Sequence, residues 1–181
     1  MGLSVQKTGS APVVPPLRLL LATLGDRLVA FEADAVRGSI ETEDPEWDKG
    51  VTAEGILYEA VDLANRLALP FDPDGVGVKG SILLLSQGVL RGCVRVARLH
   101  GVAECEPAQI LPLSPHFHGV ERQWYRGMIL FEHTVAMVLN AVWVLEGVRS
   151  GQDGANLERQ PEVLPPFTTI ADLALSKVQE C

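Results

Sequence analysis

Cysteine is scarce. Cys93, Cys105 and Cys181 are the three thiols in 181 residues, and their spacing is irregular. That rules out a disulfide framework and any Cys-x-x-Cys redox or metal motif, and it predicts free thiols in a reducing cytoplasm. Long apolar runs are missing as well. No stretch approaches the ~18 consecutive apolar residues of a membrane span, so direct membrane insertion is not expected. The N-terminus carries one lysine and no apolar core before Pro12, which does not fit a secretory signal. Cations are the minority, 15 against 23 anions, for a net charge of −8. Phosphate backbones need a basic footprint, so nucleic acid is excluded as a partner. Hydrophobic residues nevertheless make up 47% of the chain, enough for one sizeable core.

The signatures of catalysis are also lacking. No serine sits in a Gly-x-Ser-x-Gly elbow, and no cysteine has an evident base partner. Gly75-Val76-Gly77 precedes an apolar extended run, whereas cradling a phosphate requires a helix N-terminus to follow. His116 and His118 share one side of an extended segment, but no third ligand stands at fixed spacing. Glu41, Glu43, Asp44, Glu46 and Asp48 form a run, the pattern of a solvated face. These absences predict no enzymatic activity, no cofactor and no metal.

What is present is β structure. The stretch Ser81–Ala103 dominates and reads as a long hairpin. Its first arm, Ile82–Leu85, is a continuous apolar run, as expected of a strand buried on both faces. Gln87-Gly88 supplies the turn. The second arm alternates, with Arg91, Arg95 and Arg98 on its outward side. In chain order, residues 1–16 read as a flexible leader. Leu17–Leu24 and Arg27–Phe31 form a hairpin about Gly25-Asp26, and Val36–Ile40 resumes extended structure. Glu41–Lys49 is an acidic loop, with Trp47 either folded back or offered to a partner. The strand Ile56–Val61 follows. Asp62 then caps a short helix, Leu63–Ala68, ahead of Pro70. Phe71–Gly80 is a midpoint loop. After the central hairpin come a brief extended piece, Ile110–Leu113, and a histidine-bearing loop, Ser114–Gln123. The strands Met128–Glu132 and Val135–Leu139 are turned at His133-Thr134, and Asn140 caps a helix, Ala141–Glu146. Residues 148–166 read as a linker and 167–181 as a C-terminal helix, docked on the domain or on a partner.

The two halves, about 17–70 and 80–147, echo each other. Ile56–Leu67 and Thr134–Leu145 are both a strand running into a capped helix, with Asp62 matching Asn140. Ala35-Val36-Arg37-Gly38 follows its hairpin much as Arg98-Leu99-His100-Gly101 follows the other. The repeat implies two small β-barrels packed together, with extensive burial and a groove between them.

From about Leu17 to Gly147 the chain resembles the CheW-like domain, the chemotaxis coupling module. The likeness is carried by Leu28–Phe31 with Ala35-Val36-Arg37, Val61-Asp62-Leu63 running to Leu67-Ala68-Leu69-Pro70, and Leu99-His100-Gly101-Val102. Ile110-Leu111-Pro112-Leu113, Arg126–Phe131 and Val138-Leu139-Asn140 extend it. The resemblance implies a mainly β fold of two intertwined SH3-like five-stranded barrels with short capped helices. It implies a non-enzymatic adaptor whose partners are a chemoreceptor's cytoplasmic tip and the regulatory domain of a CheA-type histidine kinase, met through barrel edges and the inter-barrel groove. The candidate partner-binding residues are Val36, Arg37, Glu54, Gly55, Arg95, Arg98, Leu99 and Gly101. Three positions depart from the family pattern: Glu54-Gly55 stands where Arg-Gly is usual, Glu59 where a proline is usual, and Ala97 where an aspartate is usual. A cation replaced by an anion reverses the sign of any contact it makes, so a divergent coupling protein is expected. The rival reading is a small ligand-binding or enzymatic β-barrel protein with its pocket between the barrels; a third is a structural subunit assembling through barrel edges.

Overall fold

The computed structural model describes residues 15–42, 45–69 and 80–146. The expected leader as far as residue 14, most of the midpoint loop, the linker and the C-terminal helix lie outside the described residues. The described elements run β1 (Leu17–Leu24), β2 (Arg27–Glu32), β3 (Val36–Thr42), β4 (Val51–Ala53), β5 (Ile56–Ala60), α1 (Leu63–Arg66), β6 (Gly80–Gln87), β7 (Leu90–Val96), β8 (Arg98–Cys105), β9 (Tyr125–Phe131), β10 (Thr134–Leu139) and α2 (Ala141–Glu146).

The ten strands among the described residues form two curled five-stranded sheets, in the orders β8-β1-β2-β10-β9 and β3-β6-β7-β5-β4. These are the two SH3-like barrels, and neither is a contiguous half of the chain. The first half gives the hairpin β1–β2 to the first barrel and the strands β3, β4 and β5 to the second. The second half gives the hairpin β6–β7 to the second barrel and β8, β9 and β10 to the first. Each hairpin is therefore clasped by strands of the other half. β8 lies antiparallel on β1 and β10 parallel on β2; in the second barrel β3 lies antiparallel on β6 and β5 parallel on β7. The division at 17–70 and 80–147 survives as a repeat in sequence but not as a pair of barrels.

This exchange corrects the reading of 81–103 as one hairpin. The turn is Gly88-Val89, with Gln87 paired to Leu90, one residue later than Gln87-Gly88. The outer arm breaks at Ala97, whose N–H donates to the Thr23 carbonyl at 2.8 Å. Beyond that point the chain belongs to the other barrel. Arg91 and Arg95 consequently lie on β7 and Arg98 on β8, in different sheets. The expectation that Ile82–Leu85 is buried on both faces is met: all four are at most 2% exposed.

The core has three parts, and strand alternation explains them. Leu19 and Leu21 of β1 join Ala30, Ala103, Ile129, Phe131 and Val138 inside the first barrel. Ile82 and Leu84 of β6 join Ile40, Val51, Tyr58 and Cys93 inside the second. The opposite faces of the same strands, Leu20, Ala22 and Leu24 with Leu83 and Leu85, meet in the largest cluster, which draws on both barrels and both helices. The space between the barrels is thus packed with apolar side chains, so the rival picture of a ligand pocket there is not what the described residues build. Trp47 resolves inward. It sits in a 3-10 turn, Pro45–Lys49, half-buried against the second barrel's inner cluster.

Both helix caps form. The Asp62 carboxylate accepts from the Asn65 N–H at 3.0 Å, and the Asn140 side-chain oxygen accepts from the Val142 N–H at 3.2 Å. Gly92 on β7 lies under α2. A Cβ there would stand 2.8 Å from Leu145 Cδ2 and 3.2 Å from the Glu59 carbonyl, so any larger side chain must displace its neighbours. The two helices are also joined directly. Arg66, the last residue of α1, donates to the Val144 and Trp143 carbonyls in the last turn of α2 at 2.6 and 3.0 Å. Its guanidinium lies 4.1 Å from the Trp143 ring centre, and Trp143 stacks in turn on Trp124.

Candidate functional site

The pairings turn the sequence repeat into a structural one. On β3, Val36 pairs with Leu85 and Gly38 with Leu84, leaving Arg37 as an unpaired bulge residue. On β8, Leu99 pairs with Ala22 and Gly101 with Leu21, leaving His100 in the same position. Val36, Arg37 and Gly38 are therefore equivalent to Leu99, His100 and Gly101. A bulge bends the strand and re-aims the extra side chain. In the second barrel that side chain is an exposed arginine; in the first it is a half-buried histidine. Val36 itself is 3% exposed and belongs to the inter-barrel core, so it supports the bulge and offers no surface. Leu99 is half-buried against the same core.

A second equivalence involves the turns. Glu54-Gly55 is the two-residue turn between β4 and β5, with φ of 51° and 75°. Glu132-His133 is the corresponding turn between β9 and β10, with φ of 45° and 66°. The sequence reading placed this turn one residue too late, at His133-Thr134. Two positive φ values match the right-handed twist of the flanking strands. Glycine meets that requirement at 55, whereas the second turn holds two side-chain-bearing residues in the left-handed region.

The candidate residues thus fall into two equivalent ends. Arg37, Glu54 and Gly55 are exposed features of the second barrel; Arg98, Leu99 and Gly101 belong to β8 of the first. Arg95 is separate. It opposes Ile82 on β7, with its side chain over Gly80 and already engaged. Sequence reasoning missed His100 and Glu132, although the four-residue echo had aligned His100 with Arg37.

The first barrel's end holds a cleft of about 250 Å³, bounded by the β1–β2 turn, the start of β8 and the β9–β10 turn. Inside it His100 Nε2 lies 2.7 Å from Thr23 Oγ1. Burial holds the His100 pKa below its usual range, the nearby Arg98 charge pushes the same way, and Glu132 opposes both. Elsewhere, His116 Nδ1 meets the Ser114 hydroxyl at 2.9 Å in the exposed loop. Among the described residues no three His, Cys, Asp or Glu side chains converge as a metal site. Burial pushes the Cys93 thiol up to about 12, so it is not ionised near neutral pH and is no nucleophile.

Two interleaved barrels with a packed interface, paired bulges and paired turns define a β scaffold built to present surfaces. The family model for the CheW-like domain matches residues 18–148, and the chain belongs to that family. A solved structure described as the scaffolding protein TtCheW from Thermoanaerobacter tengcongensis has the same fold. It is 14% identical, with a TM-score of 0.55, covering 69% of this chain and 89% of its own. No curated protein matches the sequence. CheW-like domains are a non-enzymatic scaffold family, and membership supports an adaptor or scaffold role in chemotaxis. No helix among the described residues is long and apolar enough to cross a membrane.

Proposed function

We propose that this chain couples a chemoreceptor's cytoplasmic tip to the regulatory domain of a CheA-type histidine kinase, in a chemotaxis or pilus-type chemosensory system, and does so without catalysis of its own. The observation that supports this reading is the CheW-like match over residues 18–148, taken with two barrel ends that present equivalent bulges and turns. Bivalent coupling needs two surfaces on one rigid body, and the packed inter-barrel core supplies the rigidity. The second-barrel end is assigned to partner contact through Arg37 and Glu54, both exposed. Glu54 then requires a basic residue on the partner, because like charges across an interface are repulsive.

The test is a titration of the full chain against the regulatory domain of the CheA-type kinase encoded by the same genome. Saturable binding, weakened by Arg37→Glu and by Glu54→Arg, is the expected result. Each charge reversal should cost at least about tenfold, or ~1.4 kcal/mol. Absence of binding at about 100 μM, near −5.5 kcal/mol of association free energy, would sink the kinase half of the proposal. Binding unaffected by either reversal would remove this end as the contact.

A further inference from the structure

The cleft at the end of the first barrel lies at the second of the two ends invoked above; the inference rests on that end meeting a partner, and the chemistry of the cleft says what it would accept. Its floor is apolar, made by the half-buried Leu28 and the 7%-exposed ring of Phe131. Its polar groups are nearly all spoken for. Asp26 is paired with Arg27 at 3.2 Å, and Thr23 with His100 at 2.7 Å. The exceptions are the Thr134 hydroxyl and Glu132, whose carboxylate acts on His100 by charge but makes no ion pair and no hydrogen bond among the described residues. Among the described residues the charged liners are then one internally neutral pair and the Glu132 carboxylate, with Arg98 near enough to act on His100.

We propose that this cleft is a socket for a basic side chain, an arginine or lysine presented by a partner polypeptide. The aliphatic stem of such a residue covers Leu28 and Phe131, and its charged head meets Glu132 at the rim. The direction of Glu132 is set by its turn. Positive φ at both Glu132 and His133 is a conformation that non-glycine residues adopt only when the surrounding structure imposes it. A net charge of −8 draws cationic partners toward the chain at long range. The equivalent end of the second barrel is lined by other side chains. There Arg37 replaces His100, Leu90 replaces Arg27 and Arg91 replaces Leu28 in the matching positions. Similar backbone frames therefore carry different side chains, and the cleft lined by Leu28, Phe131 and Glu132 belongs to the first barrel.

The test is an amide chemical-shift titration of the full chain with N-acetyl-arginine-N′-methylamide, run beside the norleucine and glutamate analogues. Saturable shifts confined to Leu28, His100, Glu132 and His133, with millimolar affinity, are expected for arginine. Glu132 is exposed, so Glu132→Gln should leave the rest of the spectrum intact while weakening binding about tenfold or more. Glu54→Gln should leave the affinity unchanged. Three results would overturn the proposal: no saturable shift by about 20 mM, where association is worth only ~2.3 kcal/mol; equal binding of norleucine, which makes the cleft a purely apolar pocket; or preferential binding of glutamate, which makes it an anion site.

Discussion

The contact most open to direct challenge is the one Arg66 makes between the helices. Each helix of the repeat is short, with four residues in α1 and six in α2, too short to persist without tertiary support. Arg66 donates two hydrogen bonds to carbonyls in the last turn of α2, where intrahelical partners run out, and its charge sits at the negative end of the helix. Hydrogen bonds from a charged donor are worth about 1.5–3 kcal/mol each when buried. Arg66 is only half-buried, which halves that figure, and stacking on Trp143 adds about 0.5–1 kcal/mol. Ordering a long side chain takes back about 1–2 kcal/mol. The balance for Arg66→Ala is a loss of about 2 kcal/mol, or a fall in Tm of about 5–8 °C for a domain of this size. Arg66→Lys should recover less than half, because one ammonium replaces a planar fork that reaches two carbonyls and the indole face together. Urea denaturation monitored by tryptophan fluorescence reads both changes, since Trp143 and Trp124 are stacked in the same cluster. A loss below about 0.5 kcal/mol for Arg66→Ala, within the range of ordinary surface substitutions, would show that the apolar packing of α2 alone holds the helices together.

Two further outcomes follow from packing and from titration. Gly92→Ala places a methyl 2.8 Å from Leu145 Cδ2 and 3.2 Å from both the Glu59 carbonyl and Val61 Cγ2; because the strand backbone at Glu59 must give as well as the Leu145 tip, a loss of about 1–3 kcal/mol of unfolding free energy is expected, and no loss would mean that Leu145 and the strand make room for the methyl without strain. His100 has a folded pKa below its unfolded value near 6.5, so the unfolded chain takes the proton first as pH falls. Its neutral form therefore contributes stability that is fully present above about 6.5, declines as pH drops toward the depressed folded value, and changes no further below it. The unfolding free energy of His100→Gln should lack that decline, and an unaltered pH slope in the variant would detach His100 from it.

The sequence made the strands legible because their burial is unusual. Leu19–Ala22 and Ile82–Leu85 are runs of apolar residues with no polar alternation, and each is buried on both faces because one side fills a barrel and the other fills the space between barrels. The helix starts were legible because Asp62 and Asn140 are residue types that cap. The exchange of strands was not. A hairpin arm that runs on into the other barrel has the same alternation as one that stays, and only the break at Ala97, carried by a hydrogen bond to Thr23 from the far half of the chain, separates them. β4 was overlooked because three residues, Val51–Ala53, show no period. The second barrel's exposed end was within reach of sequence, since Arg37 and Glu54-Gly55 carry the resemblance and its departures. The cleft at the first barrel's end was not, because Thr23, His100 and Glu132 come from three distant strands or turns.

Strand exchange has a consequence for how such a module can vary. Either half alone would leave its hairpin without the flanking strands and its three strands without a hairpin to pair on, so the halves fold together or not at all. The inter-barrel core then constrains Leu20, Leu24, Leu83, Leu85 and Val36 jointly, while Arg37 and the turn positions Glu54, Gly55, Glu132 and His133 are exposed. Equivalent positions can accordingly drift to different chemistry without disturbing the frame: Arg37 against His100, Gly55 against His133, Leu90 against Arg27. Under the proposed function, the exposed side chains at the bulges and turns would then set which partner surface each end accepts, on a frame that both ends share.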